Sequence, residues 1–221
     1  MDNQNRVDKV IEGLKPCIPK LGKQSQRVAV GIYKGLAEGI FVNPKKLSQK
    51  MDLPPNLIEE ILESFTGIYK DESKNIVGFW GLTVAMDTPH KFIVDGKEMN
   101  AWCAWDTLFL PEIIGKEARI ESVCPISGKK IELTVSPEGI KSFSPQKTVL
   151  SFLIPDSLEE NVINKFCHFI HFFSSEEAFE KWQINQPNTF SISLEEGFLI
   201  GKKKNSLKLG LVLDVDKGGT Q

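Results

Sequence analysis

The strongest constraint on how this chain folds is a change of hydrophobic period after Phe65. Before it, apolar residues recur at helical spacing: Val28, Ile32 and Leu36, then Leu57, Ile58, Ile61, Leu62 and Phe65. Gly39 stops the first run, Asn43-Pro44 opens a short helix KKLSQKM, and Asp52–Asn56 forms a turn. A further short helix is expected at Arg6–Leu14, followed by a loop that holds Cys17 as an ordinary loop thiol. After Phe65 the apolar runs are short and bounded by turn residues. Ile68–Lys70 and Ile76–Leu82 flank a polar turn, and Lys91–Val94 and Lys97–Met99 flank Asp95-Gly96, a strong hairpin signal. Ala118–Cys124, Ile131–Val135, Ile140–Phe143 and Thr148–Ile154 read as strands. A helix at Ser157–Asn164 with a Ser157/Glu160 capping box, a helix at Ala178–Trp182 and a short helix at Leu194–Lys203 complete the pattern.

The expected fold class is therefore α+β. An amino-terminal winged-helix-like helical module (residues 1–82) precedes a mostly antiparallel β core with flanking helices (residues 83–221), because three helices followed by a hairpin is the winged-helix pattern. Residues 1–50 carry 10 Lys/Arg against 4 Asp/Glu, whereas the whole chain has a net charge of −2. A basic module invites comparison with DNA binders. However, the helix that would enter the major groove, Leu57–Phe65, carries Glu59, Glu60 and Glu63 and no Lys or Arg. Phosphate contact supplies most non-specific DNA affinity, so nucleic-acid binding is not expected.

The four cysteines, Cys17, Cys103, Cys124 and Cys167, are widely spaced and form no C-x-x-C pair, so a disulfide scaffold is not expected. The first residues show no apolar signal region, and no apolar run reaches the ~18 residues of a membrane span. The expected compartment is the cytoplasm, with no membrane association.

Chemistry concentrates in Asn100–Pro111, NAWCAWDTLFLP, which sets Cys103 three residues before Asp106 among Trp102, Trp105, Leu108, Phe109 and Leu110. On a helical turn, positions i and i+3 share a face, so thiol and carboxyl can meet. The most apolar segment, FCHFIHFF at Phe166–Phe173, brings a second thiol, Cys167. Read as a strand, either buried on both faces or facing a cavity, it places Cys167, Phe169 and His171 on one face and His168 and Ile170 on the other. Structural zinc is disfavoured because the cysteines lack paired short spacings. A cysteine hydrolase pairing Cys103 with His171 would lack a Gly-rich oxyanion segment beside the nucleophile. Two thiols and a carboxylic acid suit a third chemistry. Thiolates choose soft metals, and an acid beside them can protonate a carbon leaving that metal. A buried cysteine packing as a small hydrophobe is the commoner role for any single one of them.

The segment AWCAWDTLFLPEIIGKEARIESVCPISGKKIELTVSP, followed at a distance by FCHFIHFF, resembles the organomercurial lyase (alkylmercury lyase) family. The resemblance spans roughly Leu82–Trp182 and extends to the amino-terminal helices, since the family carries a winged-helix-like module there. It implies that Cys103, Asp106 and Cys167 are catalytic and hold the mercury product, and that Cys124 is structural. Trp102, Trp105, Phe169 and His171 are the expected substrate-pocket residues. It further implies an organomercurial substrate, no organic cofactor, low-molecular-weight thiols for turnover, and a mercuric reductase that accepts Hg(II). His168 stands where many members have another cysteine, and Trp105 where a smaller aliphatic residue is common. The other reading of the same residues is a non-catalytic mercury-binding or sensing protein whose amino-terminal module binds DNA or a partner. Asp106 favours the enzyme, because sequestration needs no proton donor.

Overall fold

A computed structural model describes residues 3–155 and 162–217. Four helices come first: α1 (Asn3–Leu14), α2 (Lys23–Leu36), α3 (Pro44–Met51) and α4 (Pro55–Ser64), with a single 3₁₀ turn at Lys15–Cys17 after α1. Asn43 caps α3, its side-chain oxygen accepting from the Lys45 and Lys46 N–H groups at 3.1 Å. The apolar stripe of α2 buries Val28, Ile32, Tyr33 and Leu36, and that of α4 buries Ile58, Ile61 and Leu62.

The first strands, β1 (Ile68–Lys70), β2 (Ile76–Phe79) and β3 (Leu82–Thr83), pair antiparallel in sequence. They do not form a separate sheet. β3 pairs with β5 (Lys97–Ala101), which forms the Asp95-Gly96 hairpin with β4 (Lys91–Val94). Beyond β4 come β6 (Ala118–Val123), β7 (Lys130–Ser136) and β8 (Gly139–Ser144). The result is one eight-stranded sheet in the order β1-β2-β3-β5-β4-β6-β7-β8. A second, three-stranded sheet has β9 (Val149–Phe152) at its centre, between β10 (Phe172–Phe173) and β11 (Phe190–Ile192). Helix α5 (Asp106–Ile114) lies between β5 and β6, and α6 (Val162–Lys165) and α7 (Glu176–Gln183) flank β10. Among the described residues no helix is long and apolar enough to cross a membrane.

Two elements depart from the sequence expectation. The last helix, α8, runs over Leu194–Lys217 rather than stopping at Lys203. Its inward face carries Lys204, Asn205 and Lys208, all buried, so the helix beyond Lys203 brings polar side chains into the interior. α8 packs against α1, α2 and α5. It approaches α5 so closely that a Cβ at Gly201 would lie 2.6 Å from Phe109 Cβ. Asn205 secures the pair, donating from Nδ2 to Phe109 O and Glu112 Oε2, each at 3.0 Å.

The second departure is FCHFIHFF. It is not a continuous strand: Cys167–Phe169 is a 3₁₀ turn, and only Phe172–Phe173 is extended. Its apolar character comes from Phe166, Ile170, Phe172 and Phe173, all buried, which a turn inside the core satisfies as well as a strand does. The Ser151 hydroxyl holds the turn, donating to Phe169 O at 2.7 Å and accepting from the His171 N–H at 2.8 Å. The expected Ser157/Glu160 capping box lies outside the described residues.

Candidate active site

The site begins where β5 ends. Trp102 N–H donates to Gly81 O at 2.9 Å, and the chain then turns through Cys103–Trp105 into α5. Asp106 is the first residue of α5, and its Oδ2 accepts from the Cys103 N–H at 2.9 Å. A carboxylate at a helix start is favoured there by the unpaired N–H groups of the first turn. The Thr107 hydroxyl donates to Ala104 O at 2.7 Å and tightens the same turn. Trp105 is anchored from the far side, its indole N–H donating to Gly197 O at 2.9 Å. Its ring meets those of Phe109, Phe152 and Phe166 edge-on at 5.0, 5.1 and 5.8 Å.

Cys167 reaches the same place from the other side. Ala104 N–H donates to Ile170 O at 3.2 Å, tying the Cys103 turn to the Cys167 turn through the backbone. The Cys103 sulfur, the Cys167 sulfur and an Asp106 carboxylate oxygen all lie within 4.8 Å of one another, and all three residues are buried. This is the convergence that the sequence reading required, from residues more than sixty positions apart.

Burial governs the electrostatics of the cluster. It pushes the Cys103 thiol well above its usual range, with the Cys167 hydrogen bond and the Asp106 charge adding to the effect. For Cys167 the hydrogen bond with Cys103 pulls downward, but burial and the Asp106 charge leave the thiol raised. Burial raises Asp106 to about 6, against the hydrogen bonds from Cys103 and the charges of Lys204 and Lys208. At neutral pH the carboxylate is thus mostly ionised and both thiols hold their protons. The carboxylate is an acceptor, poised beside two donors.

A cavity with about 530 Å³ of empty space, mouth included, opens onto the cluster and contains Asp106 and Cys167. Trp102, Trp105, Phe109 and Phe166 supply its apolar wall. Two tryptophans named from the sequence therefore do line it. Phe169 and His171 do not. A 3₁₀ turn rotates successive side chains by about 120°, so residues two apart no longer share a face. Phe169 lines a different surface cleft, and His171 packs on Trp182 with ring centroids 5.6 Å apart while its Nε2 meets His168 O at 2.8 Å. His168 is exposed. Cys124 also stands apart from the cluster. Burial raises its thiol, but hydrogen bonds from Ser127 and the backbone N–H groups of Ser174, Ser127 and Ile126 outweigh this and bring it to about 7.

Several lining residues were not expected at the site from the sequence. Cys17 is buried on its 3₁₀ turn beside the cavity, with its thiol donating to Pro155 O at 3.6 Å, rather than sitting in an ordinary loop. Lys204 and Lys208 reach the cavity from α8. Burial lowers Lys204 to about 7 and sends Lys208 well below the lysine range. Their ammonium groups sit over the rings of Phe109 and Trp80 at 3.2 and 3.7 Å. Gly81, in the turn between β2 and β3, has φ +99° and lies against the Asp106 carboxyl. Of these, Gly81 carried a sequence signal, since glycine is the default residue where a tight turn needs positive φ.

The comparisons with known proteins agree with this geometry. The family model described as alkylmercury lyase matches residues 84–204. A curated alkylmercury lyase from Staphylococcus epidermidis is 36% identical over 171 residues, 77% of this chain and 78% of the relative. Another from Bacillus cereus is 38% identical over 167 residues, 76% and 75% of the two chains, and one from Pseudomonas putida is 36% identical over 172 residues, 78% and 80%. Among solved structures, the mercury-bound form of MerB2 superposes with a TM-score of 0.74 at 24% identity, covering 90% of this chain and 98% of that one, which shows the shared fold. A matched family domain over more than half the chain, and relatives this similar over three quarters of both partners, establish that the chain belongs to the alkylmercury lyase family and is an organomercurial lyase.

Proposed function

We propose that Cys103, Cys167 and Asp106 cleave the carbon–mercury bond by protonolysis, and the observation that carries this is their convergence within 4.8 Å in a buried, apolar site. The first cysteine thiol displaces the ligand on R–Hg–X, its proton leaving with X. The Asp106 carboxylate takes the proton of the second thiol, whose thiolate then joins the mercury. Two thiolates load electron density onto the soft metal. The protonated Asp106 delivers its proton to the carbon as the carbon–mercury bond breaks and its electron pair goes to R, giving R–H. Mercury(II) remains on the two sulfurs, and Asp106 is again a carboxylate.

Each feature of the pocket serves that sequence. Raised thiol affinities keep the protons on sulfur until a metal arrives to displace them. An Asp106 near 6 can both accept and return a proton at neutral pH. Trp102 and Trp105 keep water from competing with the proton donor. In this scheme no organic cofactor is required. External low-molecular-weight thiols strip Hg(II) from the cysteines and return their protons, and a mercuric reductase is the fitting acceptor of that product. Such thiols are abundant in cytoplasm, which is the proposed compartment.

Residues 1–82 we read as a winged-helix-like module and residues 83–221 as the catalytic part. The module's hairpin extends the catalytic sheet, and its Cys17 and Gly81 reach the cavity, which supports a structural role rather than DNA readout. The decisive experiment incubates purified protein with methylmercury and excess thiol. Methane and Hg(II) in equal amounts are expected, and their absence would overturn the reading.

A further inference from the structure

The cavity holds two polar groups without a hydrogen-bond partner among the described residues. Lys208 is 3% exposed and its Nζ has no hydrogen-bond partner among the described residues. Trp102 is 6% exposed and its indole N–H is in the same position. Both line the cavity that also contains Asp106 and Cys167. A lysine head withdrawn from water without an acceptor is costly, and burial accordingly pushes Lys208 toward its neutral amine until an anion holds its proton; buried donors are nearly always paired. Besides the Asp106 charge, Lys208 Nζ meets only aromatic faces among the described residues, the Trp80 ring at 3.7 Å and the Phe79 ring at 5.8 Å, with Lys204 as a like-charged neighbour. Lys204 is better provided, with the charges of both Asp106 and Glu112 favouring its ammonium. The donor surplus therefore lies at Lys208 and Trp102. Hydrocarbon attached to mercury gains nothing from such donors, whereas an anionic substituent in the cavity accepts hydrogen bonds from them.

We propose that Lys208 Nζ and Trp102 Nε1 form an anion subsite within the reaction cavity, which takes a carboxylate carried on the organic group of the substrate. Carboxylate-bearing organomercurials are then preferred over uncharged ones of similar size. This rests on the lyase reading of Cys103, Cys167 and Asp106. The cysteines hold the mercury end and Lys208 the charged end, so the carbon between them is fixed for proton delivery. A carboxylate on an external thiol has the same chemistry, since that thiol reaches the cavity as the ligand X or when it removes the product, and the choice of thiol in the test separates the two sources.

The test compares kcat/KM for phenylmercury with its 2-, 3- and 4-carboxy derivatives, using 2-mercaptoethanol as a thiol without a carboxylate. For the wild-type enzyme at least one carboxylated isomer is expected to exceed phenylmercury about tenfold, as charge-assisted hydrogen bonds allow. That ratio should collapse toward unity in Lys208→Met and fall partway in Trp102→Phe. An unchanged ratio in Lys208→Met overturns the subsite. So does a Lys208→Met effect that appears only when mercaptoacetate replaces 2-mercaptoethanol, because the anion is then the thiol's. Should Lys208→Met fail to fold, benzoate against wild-type cleavage of phenylmercury decides: competitive inhibition by benzoate but not by benzyl alcohol supports the subsite, and no inhibition overturns it. Failure of the wild-type enzyme to cleave phenylmercury at all overturns the lyase reading, and the subsite falls with it.

Discussion

A Cβ on Gly81 would lie 2.5 Å from Asp106 Oδ1, so the carboxyl that faces the two thiols occupies the space a side chain would have taken. Gly81 stands at φ +99° in the turn between β2 and β3, and Tyr33 of α2 pins that turn by donating its hydroxyl to Trp80 O at 2.9 Å. Gly81 O in turn accepts from Trp102 N–H, which sets the start of the Cys103 turn. The amino-terminal helices thus help to position the reacting carboxyl through one turn.

Gly81→Ala should therefore displace Asp106 while leaving the fold intact. A misplacement of the order of an ångström costs about 100-fold in rate when geometry is what catalysis depends on. We expect kcat for methylmercury to fall by about that factor. Thermal unfolding should show a folded, somewhat less stable protein. A variant with full kcat would show that Asp106 does not act from this position.

Cys103→Ser and Cys167→Ser each remove one soft ligand and should lower kcat by at least about a thousandfold. After a single turnover without external thiol, the wild-type chain should retain about one equivalent of Hg(II) through a desalting column, since two thiolates hold it. Either serine variant should lose it. Retained mercury in both would place the product elsewhere, with Cys17 or Cys124 as the remaining thiols.

The pH dependence follows from Asp106. Its carboxyl is raised to about 6 by burial, and it must be ionised to accept a thiol proton. Activity is expected to rise about tenfold per unit below that value and to level off above it. The stability sign is the opposite. The folded affinity for the proton exceeds the unfolded one, so the contribution of Asp106 is most favourable at low pH and is lost as pH rises through about 6. Asp106→Asn should abolish turnover at every pH and flatten this part of the stability profile, measured by thermal melts between pH 4 and pH 8.

Asn205 joins α8 to α5 through two hydrogen bonds in a fully buried setting. Asn205→Ala leaves a small void and withdraws donors from Phe109 O and Glu112. A loss of about 2–3 kcal/mol is expected in chemical denaturation. Because Lys204 and Lys208 ride on the same helix, the cavity should loosen as well, and the KM for methylmercury should rise.

The local pattern was legible wherever one residue's neighbours in sequence decide its state. The helices before Phe65, the Asp95-Gly96 hairpin and the strands from Ala118 to Phe152 follow from apolar period and turn chemistry. Cys103 and Asp106 were legible as a pair because three residues at a helix start keep them together. Cys167, Trp102 and Trp105 were legible through family resemblance and residue chemistry. Tertiary contacts alone decided the rest. FCHFIHFF looked like a strand, yet Ser151 and the core around Phe152 hold it as a turn, which takes Phe169 and His171 away from the cavity. Lys204 and Lys208 lay beyond the expected helix end at Lys203, and a lysine shows its surroundings only once α8 is packed against α2 and α5. The need for glycine at position 81 shows only in the fold, where Asp106 fills the space beside it. Sequence determined which groups could do the chemistry; the packing of α5, α8 and the Cys167 turn decided which of them meet, because burial and distance are properties of the assembled fold.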